Sequence, residues 1–109
     1  MNSEPLAIDM TQLRSAAGRA VGALKLLANE DRLLLLCQLS QGEACVGDLE
    51  ALLGIRQPTL SQQLGVLRNE GVVETRREGK NIHYRVSDPD LLQILATLYR
   101  LYCPEGDQK

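Results

Sequence analysis

The feature that most constrains this chain is a change of hydrophobic period at Gly71. Before it, in "IRQPTLSQQLGVLRNEG", Leu60, Leu64 and Leu67 recur at i, i+4 and i+7, a single apolar stripe of an α-helix. After it the period becomes two. "VVETRREGKNIHYRV" reads as two short strands, about Val72 to Arg76 and Ile82 to Val86, joined through a turn at Gly79. A helix that runs directly into a hairpin leaves few ways of covering both apolar faces with one core.

The flanking segments supply the rest of that core. A short helix around Val46 to Leu53 ends at Gly54, and Pro58 suits the first turn of the helix that carries Leu60. Two helices across a tight connection make a helix-turn-helix, and the hairpin after them makes it winged. Upstream, Asn29 is a plausible N-cap, with Glu30 and Asp31 in the first turn of a helix from Arg32 to about Ser40 that stops at Gly42. Downstream, Asp88 caps "PDLLQILATLYRLYC", where Leu91, Leu95, Leu98 and Tyr102 form a stripe and Pro104 ends the helix. The expected architecture is mainly α with a small β-hairpin wing and five helices.

Residues 9–28, "DMTQLRSAAGRAVGALKLLA", form the first of those helices. Ala16, Ala20, Ala23 and Leu27 share a stripe, and Gly18 and Gly22 thin the surface. Small residues permit close approach of another helix. Two readings stay open: packing onto the chain's own core, or a face for a partner.

At 109 residues the chain is one domain, with 1–8 expected to be a flexible arm and 104–109 a tail. Three Tyr and no Phe or Trp leave the core to Leu, Ile, Val and Ala, which favours helices. The first ten residues have neither the basic nor the apolar region of a signal peptide, and nothing approaches the roughly 18 apolar residues of a membrane span. A cytoplasmic protein without membrane contact is expected, with its thiols reduced by default and no disulfide framework from three oddly spaced cysteines.

A net charge of −2 argues against a nucleic-acid binder, but its distribution argues for one. Residues 56–85 carry six basic groups against three acidic ones, whereas the rest of the chain carries six against eleven. A basic working edge on an acidic body is the pattern expected for binding double-stranded DNA.

With Leu60, Leu64 and Leu67 turned inward, Thr59, Ser61 and Gln62 point outward, and Gln57 stands at the helix start where recognition helices make their first contacts. Glutamine pairs bidentately with adenine, and Ser and Thr reach bases or phosphates. A polar outer face is ordinary for any helix. The hairpin that follows is not ordinary: Arg76, Arg77, Lys80, Asn81, His83 and Arg85, together with Arg68 on the helix, form a set suited to gripping phosphates beside the groove.

Residues 24–86 resemble the ArsR/SmtB family of bacterial repressors, above all in "QPTLSQQLGVLRNEGVV" and the "RREGKNIHYRV" wing. The resemblance implies a homodimer through the first and last helices. It also implies repression at an imperfect, AT-rich palindromic operator, relieved by an inducer. Most such proteins sense metal ions, but the ligands do not match here. The family's thiolate site in the third helix has two cysteines, whereas "EACVGDL" keeps Cys45 and has Gly47 in place of the second. The family's other site, on the last helix, uses His and carboxylates, and this last helix has no His. The expectation is no metal and no cofactor.

Two thiols remain. Alone, Cys37 in "RLLLLCQL" is ordinary core filler and Cys103 in "LYCPE" an unremarkable thiol. As a pair they resemble the thiol-based, persulfide- and redox-sensing subgroup of the family (the BigR/SqrR/HlyU type), in which the second and last helices lie side by side. The resemblance implies sensing by Cys37 and Cys103, with reactive sulfur species or oxidants as inducer and an internal disulfide or longer sulfur bridge as product. An arsenite-responsive repressor using cysteine thiolates is the alternative, since trivalent arsenic prefers three sulfur ligands. A regulator with inert cysteines also stays open. An enzyme is not expected, because no base or polar pocket accompanies either cysteine.

Overall fold

The computed structural model describes residues 9–103; the expected arm at 1–8, the tail at 104–109 and the stop at Pro104 lie outside the described residues. Five helices and three strands follow in the order α1 (Met10–Leu27), α2 (Glu30–Ser40), β1 (Ala44–Cys45), α3 (Val46–Leu53), α4 (Thr59–Asn69), β2 (Val73–Glu78), β3 (Asn81–Val86) and α5 (Pro89–Tyr102). This is a winged helix-turn-helix: α3 and α4 are the paired helices and β2–β3 the wing.

The helix ends follow their local chemistry. Asp9 accepts from the Thr11 N–H at 2.8 Å to cap α1, Asn29 from the Arg32 N–H at 3.0 Å to cap α2, and Asp88 from the Asp90 and Leu91 N–H groups to cap α5. Gly54, at φ 70, ends α3 in the left-handed conformation that only glycine adopts without strain.

Seven leucines are essentially inaccessible: Leu35, Leu36, Leu49, Leu60, Leu64, Leu67 and Leu95. They come from α2, α3, α4 and α5, so α2 is the pillar around which the other helices and β3 pack. The stripe of α4 is buried as its spacing requires. That of α5 fades along its length: Leu91 and Leu95 are buried, Leu98 is half-buried and Tyr102 is 80% exposed.

Two expectations change. The strands run to Glu78 and start at Asn81, so the turn is only Gly79–Lys80, with Gly79 at φ 64 in the first central position. The ladder continues because Arg77 stands opposite Ile82 and Glu78 opposite Asn81, and polar residues pair as well as apolar ones on a solvated ladder. The wing is also more than a hairpin. Ala44 and Cys45 add a short third strand beside β3, in the order β1-β3-β2, with Ala44 opposite Tyr84 and Cys45 opposite His83.

Helix α1 packs on its own core only at its C-terminal end. Leu26 and Leu27 are buried and Ala23 half-buried, while Ala16 and Ala20 are exposed. The core-packing reading of its small-residue stripe therefore fails over the first turns. The radius of gyration, 16.5 Å, exceeds the about 13 Å of a round chain of this length, as a projecting helix requires.

Candidate nucleic-acid interface and dithiol site

Burying Leu60, Leu64 and Leu67 leaves Ser61, Gln62 and Arg68 exposed along α4, with Thr59 half-buried and Gln57 exposed just before it. Gln57 and Ser61 are joined. Gln57 Oε1 accepts from Ser61 Oγ at 2.6 Å and from the Ser61 N–H at 3.2 Å. Pro58 has no side-chain acceptor to offer the first turn, so the residue before it takes over capping. The acceptor of Gln57 is thereby engaged, and its amide N–H donors stay available for a ligand.

The wing sorts its basic groups between two faces. Side chains alternate along a strand, so Glu74, Arg76 and Glu78 share one face with Arg85, His83 and Asn81 opposite them. On that face the charges are matched. Arg76 forks onto Glu43, with Nη2 at 2.6 Å from Oε1 and Nε at 3.1 Å from Oε2, and its Nη1 meets Glu78 at 3.1 Å. Arg85 pairs with Glu74, and His83 Nε2 stands 3.6 Å from Glu78. Hydrogen bonds from Arg76 hold the Glu43 carboxyl below its usual range. Arg77 falls on the other face and Lys80 in the turn. Among the described residues no carboxylate pairs with Arg77, Lys80, Arg68 or Arg56. The sequence signals mark all these residues as basic or polar; what they do not reveal is Glu43, which enters from 33 positions upstream.

The other site lies between α2 and α5. Cys37 is half-buried in a cleft of about 670 Å³ whose walls include Leu34, Leu53, Leu92, Leu95 and Tyr99. Cys103 follows at the end of α5, where its N–H donates to the Tyr99 carbonyl at 2.9 Å. Both are free thiols. Burial pushes the Cys37 thiol above its ordinary range, and the charge of a Cys103 thiolate pushes it further.

Cys45 is elsewhere. It begins α3 at the sheet edge, with its Sγ 3.3 Å from Asp48 Oδ2. Among the described residues no three of His, Cys, Asp and Glu gather as a metal-ion cluster, so the three cysteines do not converge within one chain.

Residues 29–75 match the model of the bacterial regulatory proteins of the arsR family. The chain is 50% identical over 96 residues to the biofilm growth-associated repressor of Agrobacterium fabrum, covering 88% of this chain and 82% of that protein. It belongs to the arsR family. Within that family it is also 38% identical over 96 residues to the transcriptional activator HlyU of Vibrio cholerae, covering 88% of this chain and 89% of that protein. The solved structure of the transcriptional repressor BigR from Xylella fastidiosa superposes with a TM-score of 0.82 at 44% identity, over 90% of this chain and all of that one. These relatives are regulators of transcription. None of the described helices is long and apolar enough to cross a membrane.

Proposed function

We propose that this chain is a cytoplasmic, homodimeric transcriptional repressor that leaves its operator when Cys37 and Cys103 become bridged in response to reactive sulfur species or oxidants. The observation that carries the reading is the placement of Cys37 in the α2–α5 cleft whose wall includes Tyr99, the residue whose carbonyl holds the Cys103 N–H, in an arsR-family chain whose third cysteine stands apart at the sheet edge. Dimerisation through α1 and α5 is supported by the apolar surface those helices leave uncovered: Met10, Leu13, Val21 and Leu24 on one, Tyr99, Leu101 and Tyr102 on the other.

In the DNA-bound state α4 lies in the major groove. Gln62 and Ser61 read base edges, with Thr59 and the free amide of Gln57 beside them. Arg68, Arg77, Lys80 and Asn81 hold phosphates, and Arg76, His83 and Arg85 join them only by exchanging their carboxylate partners. Two such helices facing successive half-sites read an imperfect palindrome.

The redox step balances without a cofactor. A thiolate attacks the sulfane sulfur of a hydropersulfide RSSH, releasing RS⁻ and forming a protein persulfide. The second thiolate attacks the cysteine sulfur of that persulfide, closes the disulfide and expels HS⁻. The dithiol loses two electrons and two protons, and the reagent leaves as a thiol, RSH, and hydrogen sulfide. Burial disfavours the Cys37 thiolate, so in this reading Cys103 attacks first and Cys37 gives up its proton as it resolves the persulfide. A bridge of this kind draws the end of α5 toward α2. Since α5 forms part of the dimer interface, the two recognition helices then lose their spacing.

The test is intact-protein mass spectrometry with operator-binding anisotropy after a persulfide donor, peroxide or arsenite. A Cys37–Cys103 link formed as DNA is released supports the reading. Release by arsenite alone, with persulfide inert, overturns it in favour of metalloid sensing.

A further inference from the structure

The side chain of Arg32 spans three helices. Its Nε donates to the Leu26 carbonyl at 2.8 Å, Nη2 to the Lys25 carbonyl at 3.1 Å and Nη1 to Gln63 Oε1 at 3.2 Å. Leu26 and Lys25 stand in the last turn of α1, where the helical N–H ladder stops; the Lys25 carbonyl also takes the Ala28 N–H at 3.3 Å, and a cation there suits the negative end of the helix dipole. Gln63 is on the recognition helix, half-buried between the core stripe and the outer face. Arg32 is fixed at its root, since its own N–H is held by Asn29 in the cap of α2. Its partners are two carbonyls and an amide, which a planar guanidinium can meet together and a lysine ammonium cannot.

The corner this side chain braces is otherwise light. Only Ala28 and Asn29 connect α1 to α2, and only Leu26 and Leu27 of α1 are buried. The direction in which α1 leaves the domain therefore depends on that corner. Helix α1 has 18 residues. A helix of that length is about 27 Å long, so a tilt of roughly 10° at one end moves the other by about 5 Å. That exceeds the ~3.4 Å rise of one base pair.

We propose that Arg32 is a positioning residue for operator binding: through Gln63 it fixes the angle between α1 and α4, and with it the distance between the two recognition helices of the dimer. The proposal rests on the dimeric DNA-binding reading above. It gives a role to the reach of an α2 arginine onto the DNA-reading helix.

The experiment uses the full chain and a duplex bearing the palindrome that the wild-type protein selects from a random-sequence library. Variants of that duplex carry one or two base pairs added or removed between half-sites. Wild-type affinity is expected to fall about tenfold or more for one added base pair. Gln63→Leu, which removes the acceptor and keeps the bulk, is expected to lose only about threefold, because the helix spacing is no longer fixed. Its dimerisation and its thermal midpoint stay close to wild type, and Gln63→Glu, which restores an acceptor, keeps the steep profile. Arg32→Lys broadens the profile as Gln63→Leu does, and serves if the leucine variant fails to fold. An unchanged steep profile in Gln63→Leu or Arg32→Lys overturns the proposal. Selection of no palindrome by the wild type instead sinks the dimeric DNA-binding reading, and the proposal with it.

Discussion

Glu43 accepts from Arg76 Nη2 at 2.6 Å, and this one contact ties the loop before the sheet to the middle of the wing. It leaves Arg76 neutralised before any DNA arrives. Removing both of its carboxylate partners with Glu43→Gln and Glu78→Gln frees that guanidinium for a phosphate. The salt dependence of operator binding is then expected to steepen by about one counterion per protomer. Arg77→Ala, which removes an unpaired cation, is expected to flatten it by a similar amount. Anisotropy titrations over a range of salt concentrations measure both slopes, and equal slopes for all three proteins contradict the division of the wing into matched and free charges.

Gln57 caps the recognition helix through Ser61, so its loss acts on stability as well as on binding. Gln57→Ala is expected to lower the unfolding free energy by about 1 kcal/mol, the usual effect of a lost N-terminal cap. Gln62 takes no part in the hydrogen bonds that hold Ser61. Gln62→Ala is therefore expected to leave stability unchanged and to relax base preference at one operator position per half-site. Denaturant titration and selection from a randomised operator distinguish the two effects.

Cys37 has a pH signature. Burial and the neighbouring Cys103 charge both favour its protonated form, so its thiolate appears at higher pH than that of a free cysteine in a short peptide. Alkylation of Cys37 by iodoacetamide is expected to rise with a correspondingly late midpoint. In Cys103→Ser that midpoint moves down, because the repelling charge is gone. The rate profile with mass-spectrometric assignment checks the sign; an upward move contradicts the coupling.

The proposed switch assigns the two thiols different tasks. Under a persulfide donor, Cys37→Ser is expected to collect whole sulfur units on Cys103 and to stay on DNA, since nothing closes the bridge. Cys103→Ser is expected to gain sulfur slowly and to stay on DNA as well. A normal release in either variant removes that cysteine from the switch.

Much of this architecture was legible because its signals are local. The stripe Leu60–Leu64–Leu67, the caps Asn29 and Asp88 and the left-handed Gly54 each declare themselves within one or two turns of chain. What escaped depends on residues distant in sequence. Two residues, Ala44 and Cys45, are too few to show alternation, so β1 is visible only once β3 lies beside it. Glu43 reads as a surface acid until it meets Arg76, and Arg32 reads as a helix-start residue until its side chain crosses to Gln63. The two faces of the wing were hidden for the same reason, since which arginine is neutralised depends on strand register. For the thiols, only the resemblance to the family's thiol-based subgroup pointed to Cys37 and Cys103, and folding adds the cleft and the raised Cys37 thiol that a one-dimensional reading has no means to give.

In the order β1-β3-β2, the long strand β2 is left at the border of the sheet. A border strand offers rows of unsatisfied backbone groups on which another chain can grow, which is how fibrils and insoluble clumps begin. Four of the six residues from Val73 to Glu78 are charged, and the signs are mixed. Any second chain that adds here must bury those charges against its own backbone. The wing's arginines and glutamates thus act as gatekeepers of solubility, and replacing Arg76 and Arg77 together with apolar residues turns this border into a self-seeding one.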